Sequence, residues 1–327
     1  MKVAVTGASG VLGRAVTNHF HNQSIPTLPL SFSRTSPSVL YPNLPAPTPL
    51  DLLDEQAVRQ FFTSLQSDPE KKIDFLIHCA AERRPDVAEA DPERAAKLNE
   101  ASTRLLAELA AELDFGLVYI STDYVFDGKK PPYSSGDAPN PLNLYGRLKR
   151  AGEEAVLDVR GKALDQAKPL IVLRVPLLYG EVEYNGETAV NLFVDILEDQ
   201  SGKKYTMDHF AVRFPTCVED VARVIYDLTR LDKRVPAIVH YSSRKGLTKY
   251  EQLLIIASHT GASTSHVVPD AEDPASKPNP SGVVRPGNTQ LSVEELKDLG
   301  VDVEETVSGG FDAWWKKWAG KKQGSSS

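Results

Sequence analysis

The chain has 327 residues, 41% hydrophobic and 25% charged, the proportions of an ordinary globular protein with room for one large α/β domain and an appended lobe. Its formal net charge of -7 leaves no basic footprint for nucleic acid or for an anionic membrane surface. No apolar run approaches the ~20 residues that span a bilayer, and the two cysteines, Cys79 and Cys217, make neither a disulfide framework nor a Cys-based zinc site.

"KVAV" (2–5) is a short β-rich run that leaves no room for a signal peptide, so the cytoplasm is the expected compartment. Glycines follow, then "VLGRAVTNHF" with helical periodicity. "IPTLPLSF" is a second strand weakened by two prolines, and "SRTSPSVLYPNLPAPTP" a Pro- and Ser-rich loop long enough to form a flap. "LDLLD" is expected as a short strand and "EQAVRQFFTSLQ" as a helix. "IDFLIHCA" (73–80) and "FGLVYIST" (115–122) are continuous apolar runs, as buried parallel strands should be, and "LIVLRVPLLYG" (170–180) is a third. Between them Asp91-Pro92-Glu93 opens a long helix, and "PLNLYGRLKR" (141–150) begins another.

Strands and helices alternating in this way predict a Rossmann-type, doubly wound parallel sheet over 1–180, with strand C-termini on one ligand-binding edge. Beyond 181 the rhythm changes to a smaller lobe, 181–318, with returns into the sheet. Its helices "PTCVEDVARVIYDLTRL", "LTKYEQLLIIASHTG" and "SVEELKDLG" carry candidate capping boxes Thr216/Glu219, Thr248/Glu251 and Ser292/Glu295. "AIVHYSS" is a strand, and 319–327 is expected to be a disordered tail. None of the seven histidines has HExxH-like spacing, and no metal site is expected.

Gly7, Gly10 and Gly13 stand between the first strand and the first helix, where glycine lets backbone N–H groups approach a pyrophosphate at the helix N-terminus. The second strand ends without the acid that accepts from an NAD ribose. Ser33 and Arg34 instead offer a hydroxyl and a guanidinium fork suited to a 2′-phosphate, so NADP is the expected cofactor. At the end of the fifth strand, Ser121 and Thr122 can hydrogen-bond a carbonyl. Tyr145 can supply a proton, and Lys149, one helical turn on, can lower the tyrosine pKa and hold a ribose. Asp123-Tyr124 follows Thr122 where a sugar dehydratase needs a further acid/base pair, which argues for simple reduction or for no turnover.

The segments "VTGASGVLGRAV", "STDYVFDG", "PLNLYGRLK" and "RPGNTQL" resemble the extended short-chain dehydrogenase/reductases, among them the dTDP-4-dehydrorhamnose reductases. Residues 78–99, 173–183, 207–222 and 247–251 are more similar still to the regulatory (beta) subunits of methionine adenosyltransferase. The resemblance implies a hetero-oligomer with a methionine adenosyltransferase catalytic subunit, modulating S-adenosylmethionine synthesis. The alternative is an NADPH-dependent keto-sugar nucleotide reductase. It also implies NADP contacts at Ser9, Gly10, Val11, Leu12, Phe32, Ser33, Arg34, Asp51, Leu52, Cys79, Arg83, Tyr145 and Leu178, with Lys149 beside them. Two departures stand out. Ser33 occupies a position where the family often has a second arginine, and the C-terminus ends basic and polar where the family's is apolar and aromatic.

Several of these residues also have plain structural readings. Arg83, Arg84 and Glu82 could form a surface ion-pair cluster, although the strand-end position of Arg83 favours the dinucleotide. Cys79 is expected to be a small buried hydrophobe, because no histidine is placed to activate it. Asp208 and His209 are expected as a hydrogen-bonded loop pair. Trp314, Trp315 and Trp318 form one helical face that either packs on the lobe or anchors a partner.

Overall fold

A computed structural model describes residues 1–162, 168–276 and 282–324. The predicted class holds. Seven parallel strands form one sheet with helices on both faces, in the order Ile238–His240 (β10), Leu170–Val175 (β6), Gly116–Thr122 (β5), Phe75–His78 (β4), Val3–Thr6 (β1), Thr27–Ser31 (β2), Thr48–Pro49 (β3). In chain order the strands are β1 (Val3–Thr6), β2 (Thr27–Ser31), β3 (Thr48–Pro49), β4 (Phe75–His78), β5 (Gly116–Thr122), β6 (Leu170–Val175), β7 (Leu178–Tyr179), β8 (Tyr205–Asp208), β9 (Thr216–Cys217), β10 (Ile238–His240) and β11 (Val267–Asp270). Two further parallel pairs, β7 with β9 and β8 with β11, stand apart from the main sheet.

Strand order reverses at β1, which pairs β2 on one side and β4 on the other. A crevice opens at such a switch point, at the strands' C-terminal ends. Side chains along β1 alternate between two cores. Val3 and Val5 join Val16 and Phe20 of the first helix (Val11–Asn22) and Val221, Ile225 and Leu228 of helix Val218–Leu228. Ala4 joins Phe62, Leu76, Leu106 and Tyr119 on the other face. A third core, built from Tyr179, Phe193, Leu253, Trp314 and Trp315, gathers those parts of the C-terminal half that do not pack on the sheet.

Most predicted elements fall where the patterns put them, and the exceptions have local causes. "LDLLD" is not a strand. Asp51 accepts from the Leu53 N–H and Asp54 caps the following helix through the Ala57 N–H, so the two acids close a turn instead. β2 tolerates Pro29 because β3 pairs it only through Leu30 and Ser31. Of the three capping boxes, only Thr248/Glu251 forms. Thr216 lies in β9, and its hydroxyl donates to the Phe214 carbonyl, leaving Cys217 as the cap position. Glu295 is taken by the Ser135 N–H. The three tryptophans are each under 9% exposed in the third core, which is the packing reading. Their helix, Phe311–Gly324, continues through the first part of the expected tail, and 325–327 lie outside the described residues.

Candidate functional site

The crevice begins at Gly7, where the backbone has φ +65° and a Cβ would stand 2.8 Å from the Ala80 backbone across the switch point. β1 and β4 can therefore converge this tightly only on glycine. A Cβ on Gly13 would lie 2.2 Å from the Gly7 carbonyl oxygen, so the first helix can pack down on the turn. Gly10 is that helix's N-cap, with no side chain capping it and no acid in its first turn. The Val11 and Leu12 amides thus begin a helix of positive polarity facing the crevice. This cradle fits a dinucleotide diphosphate.

Beside it lies a cavity of about 400 Å³ lined by Ser9, Arg14, Ser33, Arg34, Ser38 and Glu183, among others. The Ser9 and Ser31 hydroxyls hydrogen-bond at 2.6 Å, joining the glycine turn to the end of β2. Phe32, just before Ser33 and Arg34, is 57% exposed. Arg34 is not the free fork that the sequence suggested. Its Nη1 lies 2.6 Å from Glu187 Oε1, and Glu187, only 3% exposed, also binds both terminal nitrogens of Arg14 at 3.0 and 2.5 Å. Arg14, Glu183 and Glu187 were not singled out in the sequence. The one available signal was a guanidinium inside the apolar run "VLGRAV", which needs a buried partner.

Further along the edge, Ser121 and Thr122 point to opposite faces, as alternation requires. Ser121 turns away and donates to Glu153 at 2.5 Å, within a buried network with Arg174 (2.7 Å). It is therefore no carbonyl partner, contrary to expectation. Thr122 donates to Asp123 Oδ1 at 3.1 Å, and its hydroxyl lies near enough to Tyr145 to oppose the rise of that phenol's pKa. Asp123 also accepts from the Thr289 hydroxyl, which ties "RPGNTQL" to the site, and burial pushes its pKa up to about 6. Asn143 accepts from the Gly146 N–H and so starts the helix Leu144–Lys162 that carries Tyr145 and Lys149.

Lys149 is 3% exposed, with its ammonium 4.1 Å from the Tyr119 ring centre, and burial lowers its pKa to about 7. It does not lower the Tyr145 pKa as expected. Burial raises that phenol above the ordinary tyrosine value, and the cation that most opposes the shift is Arg83. Arg83 has no carboxylate partner among the described residues, because Arg84 makes the ion pair with Glu82. Burial pushes the Cys79 thiol up to about 12, which makes it a hydrophobe rather than a nucleophile. Leu178 lies in β7 and Leu52 is buried, whereas Asp51 is engaged in its turn. No cluster of three or more potential metal ligands, and no helix long and apolar enough to cross a membrane, occurs among the described residues. His209 hydrogen-bonds Thr248 at 2.9 Å rather than Asp208, so the expected loop pair is replaced by a contact between segments.

This architecture has known counterparts. The RmlD substrate binding domain family matches residues 1–310. Methionine adenosyltransferase 2 subunit beta of Danio rerio is 41% identical over 93% of this chain and 87% of its own length. A dTDP-4-dehydrorhamnose reductase of Mycolicibacterium smegmatis is 28% identical over 92% and 80%. The crystal structure of a dTDP-4-dehydrorhamnose reductase from Clostridium acetobutylicum superposes with a TM-score of 0.77 at 26% identity, covering 99% of this chain and 100% of that one.

Proposed function

The chain belongs to the family of methionine adenosyltransferase beta subunits, built on the RmlD substrate binding domain, and on that premise we propose that it is an NADP-binding regulatory subunit of a methionine adenosyltransferase. One observation carries this reading: 41% identity that runs through 93% of the chain, including the segments outside the glycine turn. The glycine cradle and the Ser33/Arg34 cavity support the cofactor. Residues Ser9 to Gly13 would hold the diphosphate through backbone amides, Ser33 and Arg34 would face the adenosine ribose, and Lys149 would hold the nicotinamide ribose. The experiment is calorimetry of the full chain against its cognate catalytic subunit with NADP present. Micromolar or tighter binding is expected, and its absence refutes the reading.

A reductase of a keto-sugar nucleotide is the second reading, supported by Thr122 at the end of β5 beside Tyr145, with Lys149 one helical turn further along. NADPH, when bound, would supply hydride there. Tyr145 would give its phenolic proton to the substrate carbonyl, and Thr122 would orient it. The raised phenol pKa keeps that proton bound at neutral pH, which suits a retained binding site better than a fast acid. NADPH oxidation dependent on a 4-keto sugar nucleotide, abolished in Tyr145→Phe, would establish this reading; a flat trace would remove it.

A further inference from the structure

The segment after β7 supplies two acids to a site whose own strand has none. Glu187 is saturated: Oε1 receives Arg34 and Arg14, while Oε2 receives Arg14 and the Glu183 N–H at 2.8 Å. Glu183 differs. Its side chain is 24% exposed in the cavity wall, and its Oε2 lies 3.6 Å from Arg14 Nη1 and 3.9 Å from Arg34 Nη1. Its other oxygen accepts from the Ser38 hydroxyl at 2.7 Å, reaching the Pro-rich flap. Two guanidiniums thus face two carboxylates, and the pocket that was expected to be cationic is formally neutral.

We propose that Glu183 determines the cofactor selectivity of this pocket. Its carboxylate stands in for the acid missing from the end of β2 and offsets Arg34, so the site discriminates weakly between an adenosine ribose bearing a 2′-phosphate and one bearing a 2′-hydroxyl. A hydroxyl can donate to this carboxylate, whereas a phosphate brings like charge against it and must draw Arg34 away from both acids. Glu183 rather than Glu187 is the determinant because its contacts to the arginines are longer than hydrogen bonds and it faces the cavity directly. The inference rests on the dinucleotide reading above.

The test is titration calorimetry of the full chain with NADP⁺, NAD⁺ and 2′,5′-ADP, for the wild type, Glu183→Gln and Arg34→Ala. Glutamine keeps the volume and can still accept from Ser38, so only the charge is removed. Glu183→Gln should tighten NADP⁺ and 2′,5′-ADP about tenfold, as expected from deleting a like charge within several ångströms of the phosphate, and leave NAD⁺ unimproved. Arg34→Ala should weaken NADP⁺ and spare NAD⁺. An unchanged ratio of NADP⁺ to NAD⁺ affinity in Glu183→Gln overturns the inference and leaves the cofactor reading intact. If none of the three nucleotides binds any of the proteins, the cofactor reading itself fails and the inference with it.

Discussion

Replacing Lys149 by methionine should change how stability depends on pH. The ammonium is buried against Tyr119, and its pKa falls from 10.5 to about 7. Below pH 7 both the folded and unfolded chains hold the proton, and the full burial penalty applies. Between 7 and 10.5 the unfolded chain binds more protons, so stability rises with pH; above 10.5 the penalty is gone. Integrated from pH 7 to pH 9, the gain is about 2 kcal/mol. Cys79 and Cys217 act in the opposite direction, since burial raises both thiols and the unfolded chain ionises first. Their contribution is common to both proteins and cancels in the difference. Urea unfolding at the two pH values, for wild type and Lys149→Met, isolates the lysine: the wild type should gain about 2 kcal/mol relative to the variant. An identical pH response in both proteins would refute the assignment of a depressed lysine.

Gly7→Ala should abolish dinucleotide binding and cost about 1–3 kcal/mol, because the new Cβ meets the Ala80 backbone at positive φ; calorimetry and thermal melting read the two effects. Glu187→Ala removes the two-point partner of buried Arg14, leaving it Glu183 at 3.6 Å and the Ser9 carbonyl, and should cost about 3 kcal/mol in urea unfolding. Trp315→Ala empties a fully buried site and should cost about 3–5 kcal/mol without weakening nucleotide binding, as measured by the same melts and titrations. Were partner affinity to fall in Trp315→Ala at unchanged stability, the packing assignment of that helix would be wrong.

Continuous apolar runs made β4, β5 and β6 legible, because a strand covered on both faces has no polar side to break the pattern. The glycine turn was legible because its spacing follows from a steric need between two strands and a helix. The charges around Arg34 were not. Arg14 and Glu187 are 173 residues apart, and nothing in either local sequence announces the other. The pairs β7–β9 and β8–β11 escaped notice for a similar reason: strands of two to four residues carry too little periodicity to be seen without their partners. The Thr216 and Ser292 caps failed because better-placed donors and acceptors from other segments claimed their groups, a tertiary outcome that local motifs cannot encode.

The helical stretch from Pro92 to Glu112 contains one wide turn, the π-helix Lys97–Ala101, and Asn99 sits in it. Its amide accepts from the Glu82 N–H and donates to the Glu82 carbonyl, each at 2.8 Å, and so clamps the chain just after β4. A wide turn amounts to one residue inserted into an ordinary spiral. Excising residue 97, 98, 100 or 101 would close the wide turn into regular winding and carry Asn99 out of its place, while the flanking helices kept their phase. Glu82 and its neighbour Arg83 would then lose their tether, although no residue that touches them had been exchanged.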